Sequence, residues 1–142
     1  HQRLVDYSYA HGKEATETGL PIARSLFLVD PKAPQAWANW WTFLYGRDIL
    51  VSPIWEKNKR EQEVYLPAGE QWRDAWTGKT YPGGQTIKVK AELHQIPIFV
   101  RGGSDVELGD LNKEWSDAWA IAQKRPDLKA LDAEVKKWLE QR

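Results

Sequence analysis

The sequence predicts a mainly β protein, an antiparallel β-sandwich preceded by one helix and followed by two C-terminal helices. Three observations lead there. Short apolar runs recur from Asp48 to Ser104, turn residues separate them, and helical spacing of apolar residues dominates only on either side of that stretch.

Taken in order, residues 3 to 18 put Leu4, Tyr7 and His11 on one helical face and stop at Thr18-Gly19, where glycine suits the left-handed C-cap. Leu20-Pro21 begins an extended segment, and Ile22 through Val29 is a nearly continuous apolar run closed by Asp30-Pro31. Its length predicts a strand buried on both faces except at Arg24. Pro34 through Tyr45 carries Trp37, Trp40, Trp41 and Leu44 at spacings of three and four, which predicts a short helix with proline in its first turn and Gly46 at its end. That stripe reads as the face docked on the sheet, with a stacking platform as the alternative.

Within the central stretch, Pro67-Ala68-Gly69, Thr77-Gly78-Lys79 and Pro82-Gly83-Gly84 separate the apolar runs as turns between antiparallel strands. Lys57 to Glu61 reads as a charged loop. After Ser104, Asp110 is placed to cap a helix bearing Trp115, Ala118, Trp119 and Ala122. Pro126 breaks it, and Leu128, Leu131, Val135, Trp138 and Leu139 mark a second helix. The tail to Arg142 is expected to end the protein and pack back on the body, whereas the start at His1 has the look of a cut end.

Composition narrows the function classes. Twenty basic residues are scattered among 20 acidic ones, so no electrostatic footprint for nucleic acid or an anionic membrane exists. With no Cys, disulfides, thiolate metal sites and cysteine nucleophiles are excluded, and the compartment stays open. No apolar run approaches the ~20 residues that span a bilayer. Nine Trp exceed ordinary usage; indoles serve both as sugar-stacking surfaces and as bulky packing with one polar atom to satisfy.

Catalytic constellations are sparse. His11 sits on the predicted helix, His94 stands near Glu92 at a strand entry, and no phosphate loop, paired-histidine helix or nucleophile elbow occurs. Turn and capping duties account for Asp30, Asp48 and Asp74. Spacing therefore assigns no catalytic residue, cofactor or metal. The sugar-stacking candidates are Trp72, Trp76 and Tyr81.

The ordered blocks are more specific. Leu4 to Tyr9, Arg24-Ser25-Leu26-Phe27, Phe43 to Ile54, Tyr65 to Gly69 with Trp72, Asp74 and Trp76-Thr77-Gly78, Gly83-Gly84, and Ile96 to Arg101 with Ser104 together resemble glycoside hydrolase family 31. That family consists mostly of retaining α-glucosidases and α-xylosidases, built on a (β/α)8 barrel followed by β-sandwich domains. The resemblance implies that residues 1 to 19 hold the last barrel helix, 20 to 104 the proximal C-terminal sandwich, and 105 to 142 a helical tail in place of the distal β-domain.

It further implies that the catalytic carboxylates lie on barrel strands upstream, so none transfers to this chain. The expected partners are the catalytic barrel and the oligosaccharide substrate bound by the parent enzyme, with self-association through a barrel-facing patch of Leu4, Tyr7 and Trp37 to Trp41. Departures from the family pattern at Asp6, Ser25, Val29-Asp30, Thr42 and Glu92 bear on subgroup and substrate. Two other readings use the same residues: a free-standing carbohydrate-binding sandwich, and an interaction module working through its C-terminal helices.

Overall fold

A computed structural model describes residues 2–125 and Lys137. By contacts the chain divides after Leu108 into two compact units. In the first, a 3-10 turn (Gln2–Leu4) leads into helix α1 (Val5–Thr18), then come β1 (Ala23–Ser25), two short helices α2 (Leu26–Val29) and α3 (Pro34–Ala38), and strands β2 (Phe43–Tyr45), β3 (Ile49–Val51), β4 (Glu61–Leu66), β5 (Gln71–Asp74), β6 (Thr80–Pro82), β7 (Gln85–Lys90) and β8 (Ile98–Arg101). The second unit contributes α4 (Leu111–Ala122).

Six strands form one antiparallel sheet in the order β1-β2-β3-β8-β5-β6, and β4 pairs with β7 in a second. Leu44, Leu50, Trp72 and Phe99 from the first sheet meet Val64, Tyr65 and Leu66 from the second in one core, joined by Leu26 and Ala36 from α2 and α3. The expected sandwich is therefore present. Its small sheet shows why the strands face as they do. Gln62, Val64 and Leu66 point inward from β4, while Glu61 and Glu63 stand outside opposite Lys90 and Lys88 of β7.

The expected turns are all there, with Gly69, Gly78 and Gly84 at positive φ. Gly19 caps α1 at φ 74°, its N–H bonded to the Ala15 carbonyl, and Asp110 caps α4 by accepting the Lys113 N–H at 2.9 Å. The second C-terminal helix falls outside the described residues.

Two segments differ from the sequence reading. The run from Ile22 to Val29 is a strand only as far as Ser25, then a helical turn in which Leu28 and Val29 are exposed. β1 is an edge strand whose partner β2 begins at Phe43, opposite Ser25, so the ladder ends there and the chain closes on itself through Asp30 N–H to the Leu26 carbonyl. Arg24, expected to be the exception to burial, is itself buried.

In the second segment the helix starting at Pro34 ends at Ala38 rather than reaching Tyr45. β2 pairs on both sides, with β1 and β3, and that double ladder takes Phe43 to Tyr45 out of any helix. The tryptophan stripe is thereby broken: Leu44 enters the core, while Trp37 and Trp40 stand 60% and 68% exposed.

Candidate functional site

Two features of the first unit are built beyond what folding a sandwich requires: the seam joining α1 to the β2–β3 turn, and an exposed indole cluster.

The half-buried residues of α1, Tyr7, Ser8, His11, Gly12, Glu14 and Ala15, recur at helical spacing and form the face turned to the sandwich. At its centre the Tyr7 hydroxyl accepts the backbone N–H of Arg47 and of Asp48, each at 3.0 Å, and donates to the Tyr45 carbonyl at 3.0 Å. One side chain thus satisfies three backbone groups of a tight turn. Gly46 has φ 65°, and a Cβ there would run into the Tyr7 ring. Burial, the largest influence, raises the Tyr7 pKa above its ordinary value. Tyr45 in turn reaches the Ser8 hydroxyl at 2.7 Å.

Two turns further along α1, Glu14 receives Arg47 on Oε1 at 2.7 Å and Arg24 on Oε2 at 2.9 Å. The hydrogen bonds from Arg47 and then Arg24 hold its carboxyl down at about 2. Arg24 also donates to the Pro21 carbonyl at 2.9 Å, which accounts for a charged side chain at a buried position.

The seam continues across the sheet. Arg101 of β8 donates twice to the Arg47 carbonyl, at 2.9 and 3.1 Å, pairs with Glu70 at 3.2 Å, and lies over the Trp72 ring at 5.2 Å. A connected path of polar contacts runs from α1 through the turn to β8 and β5.

The second feature is the set Trp40, Trp41 and Trp55. Their ring centroids lie 5.6 Å (Trp40–Trp41), 5.2 Å (Trp40–Trp55) and 5.9 Å (Trp41–Trp55) apart, with Trp55 51% exposed. Beside them Trp37 stands on α3 and stacks on Phe27 of α2 at 4.8 Å. Only the chain fold brings Trp55 to the other two; the one signal in the sequence is its place just after Pro53, where β3 has already ended.

The three stacking candidates are not one surface. Trp72 is fully buried with its Nε1–H on the Pro67 carbonyl at 3.0 Å, a correction that removes it from any sugar platform. Tyr81 is half-buried, packed edge-on against Phe99 and under the Lys79 ammonium. Trp76, also half-buried, donates Nε1–H to the Ile96 carbonyl at 2.7 Å and meets His94 edge-on at 6.0 Å.

The carboxylates considered from the sequence have structural partners. Asp74 Oδ1 accepts the Trp76 and Thr77 amides at 2.8 and 3.3 Å, Asp30 accepts the Tyr65 hydroxyl at 2.8 Å, and Asp48 lies 3.6 Å from Arg101. His11 donates Nδ1–H to the Tyr7 carbonyl at 2.9 Å. Among the described residues there is no group of three or more His, Asp or Glu able to hold a metal, and no helix long and apolar enough to cross a membrane.

Comparison with known proteins places these elements. Residues 19–106 match the Glycosyl hydrolase family 31 C-terminal domain. Over 101 residues the chain is 38% identical to a sulfoquinovosidase of Agrobacterium fabrum, a match covering 71% of this chain and 15% of that protein. Over 106 residues it is 34% identical to an alpha-xylosidase of Saccharolobus solfataricus, covering 75% of this chain and 14% of the relative. Among solved structures, a GH31 alpha-xylosidase from a soil metagenome, complexed with xylose, superposes with a TM-score of 0.69 at 38% identity, over 73% of this chain and 15% of that one. The chain spans 10% to 15% of the length of the curated relatives it matches.

Proposed function

Because this chain belongs to glycosyl hydrolase family 31 and carries its C-terminal domain, we propose that it is the portion of a retaining, exo-acting α-glycosidase that follows the catalytic barrel and braces it. In this reading residues 1 to 19 contain the last barrel helix, residues 20 to 104 are the proximal sandwich, and residues 105 to 142 form a helical tail. The substrates are terminal α-linked sugars, glucosides or xylosides.

The observation that carries the reading is the seam. A helix in a barrel's outer ring packs on the strands with one face and leaves the opposite face open to further domains, and α1 is fastened to the β2–β3 turn by Tyr7 and Glu14. Its other face supports the same reading. Val5 and Tyr9 are exposed there, apolar side chains suited to packing against neighbouring barrel elements.

Retaining hydrolysis needs two carboxyl groups about 5 to 5.5 Å apart, one attacking the anomeric carbon and one protonating the leaving oxygen. Both are assigned to the barrel. The contribution of this segment is mechanical: it limits movement of the outer helix, so that strand ends bearing the reacting groups keep their spacing.

The test compares the full-length enzyme containing this segment with the isolated chain on aryl α-glucosides and aryl α-xylosides, the product anomer being followed by NMR. Hydrolysis with net retention by the full-length enzyme and none by the isolated chain is expected. Inversion, or turnover by the isolated chain, overturns the proposal.

A further inference from the structure

We propose that Trp40, Trp41 and Trp55 form a carbohydrate-binding subsite for a neutral oligosaccharide. Three exposed or half-buried indoles converge within 5.2 to 5.9 Å of one another at mutual tilts of 81°, 47° and 38°. The exposed faces of these rings make an apolar wall on which the C–H faces of pyranose rings can lie.

What adjoins that wall points to the ligand's chemistry. Trp41 lines a cleft of about 390 Å³ and Trp55 a second one of about 470 Å³, with Glu56, Lys59 and Arg60 common to both, each within the range of small-ligand sites. Three carboxylates (Glu56, Glu61, Glu63) and three cations (Lys59, Arg60, Lys88) share the rim of the first. Equal numbers of both signs select against an anionic or a cationic ligand and offer acceptors and donors to a hydroxyl-rich neutral one.

A third observation lies inside the cluster. Trp41 Nε1–H is buried and has no acceptor among the described residues. Such a donor is rare in a folded chain. Trp41 borders the cleft, and a small turn of its ring gives this N–H a sugar hydroxyl as acceptor. Trp40 and Trp55 then supply stacking, and Trp41 supplies stacking with one directed hydrogen bond.

The proposal rests on the glycosidase reading only for the choice of probes. Calorimetric titration of the whole chain with maltotriose, isomaltotriose and a xyloglucan heptasaccharide is expected to show saturable binding of at least one. Trp40→Ala and Trp55→Ala each weaken it by about tenfold, the loss of one good stacking contact. Trp41→Phe weakens it by a smaller factor, and Trp76→Ala leaves it unchanged. Trp40 and Trp55 are more than half exposed, so circular dichroism of both variants is expected to match the parent chain.

No saturable binding to any of the three sugars overturns the subsite, as does binding that survives both Trp40→Ala and Trp55→Ala. Sugar-independent burial of these indoles as protein concentration rises also overturns it, in favour of a second copy of the chain as occupant. The hydrolysis assay above reports independently on the glycosidase reading.

Discussion

The Tyr7 hydroxyl lies 3.0 Å from the backbone nitrogen of Asp48, a residue 41 positions further along the chain. With the Arg47 amide and the Tyr45 carbonyl on the same oxygen, a helix is fastened to a turn by one phenol. Removing that oxygen in Tyr7→Phe strands two half-buried backbone groups, the Tyr45 carbonyl and the Asp48 amide, and frees the amide of exposed Arg47 to water. A destabilisation of about 1 to 3 kcal/mol is expected, read from urea denaturation of the chain. A change below about 0.5 kcal/mol would mean that water substitutes freely in the seam.

Glu14 gives the seam a pH dependence. Its carboxyl is held at about 2 by Arg47 and Arg24, against about 4.3 in an unfolded chain. A depressed carboxylate pKa contributes stability that is fully present above the unfolded value and is lost as pH falls through the folded one. The melting temperature of the native chain is therefore expected to fall between about pH 5 and pH 2. In Glu14→Gln that component is missing and the profile is flatter over the same window. Added salt narrows the difference, because Arg47 is exposed.

How much of this was legible beforehand depends on the kind of signal. Glycine and proline encode local geometry, so Gly19, Gly69, Gly78 and Gly84 marked their turns without reference to the rest of the chain. Strand runs bounded by such turns were legible for the same reason. Leu26 to Val29 and Phe43 to Tyr45 were not, because an apolar run suits a helix and a strand alike and only the availability of a ladder partner decides between them.

The candidate sites were still less visible. Tyr7 meets the turn at Asp48, and Trp55 meets Trp40, through contacts between distant positions that no local pattern records. Trp72 fails as a surface residue for the same reason. Alternation along β5 fixes that it shares a face with Asp74, but only the second sheet makes that face the interior.

Core depth separates two apolar residues that look equivalent in the sequence. Leu50 is fully buried between β2 and β8, whereas Ile98, opposite Val51 on the adjoining strand, is only half-buried. Leu50→Ala is expected to cost about 2 to 5 kcal/mol, the transfer loss plus a cavity. Ile98→Ala should cost less, because part of the deleted surface already faces water. Chemical denaturation of the two variants measures the order directly, and equal losses would contradict the half-exposed position of Ile98.

Tyr65 ties β4 to the turn after α2, its hydroxyl donating to Asp30 Oδ2 at 2.8 Å. Burial first, and then this hydrogen bond to a carboxylate, push its pKa up to about 12. The folded state therefore favours the protonated phenol, so its contribution to stability is complete below the unfolded tyrosine value of about 10 and is lost as pH rises through about 12. Absorbance titration is expected to show a late tyrosinate step that disappears in Tyr65→Phe. The melting temperature of that variant should also decline less between pH 10 and 12 than that of the native chain. An unchanged late step in Tyr65→Phe would assign it to another residue, with Tyr7, whose own pKa is raised by burial, the first to examine by the same substitution.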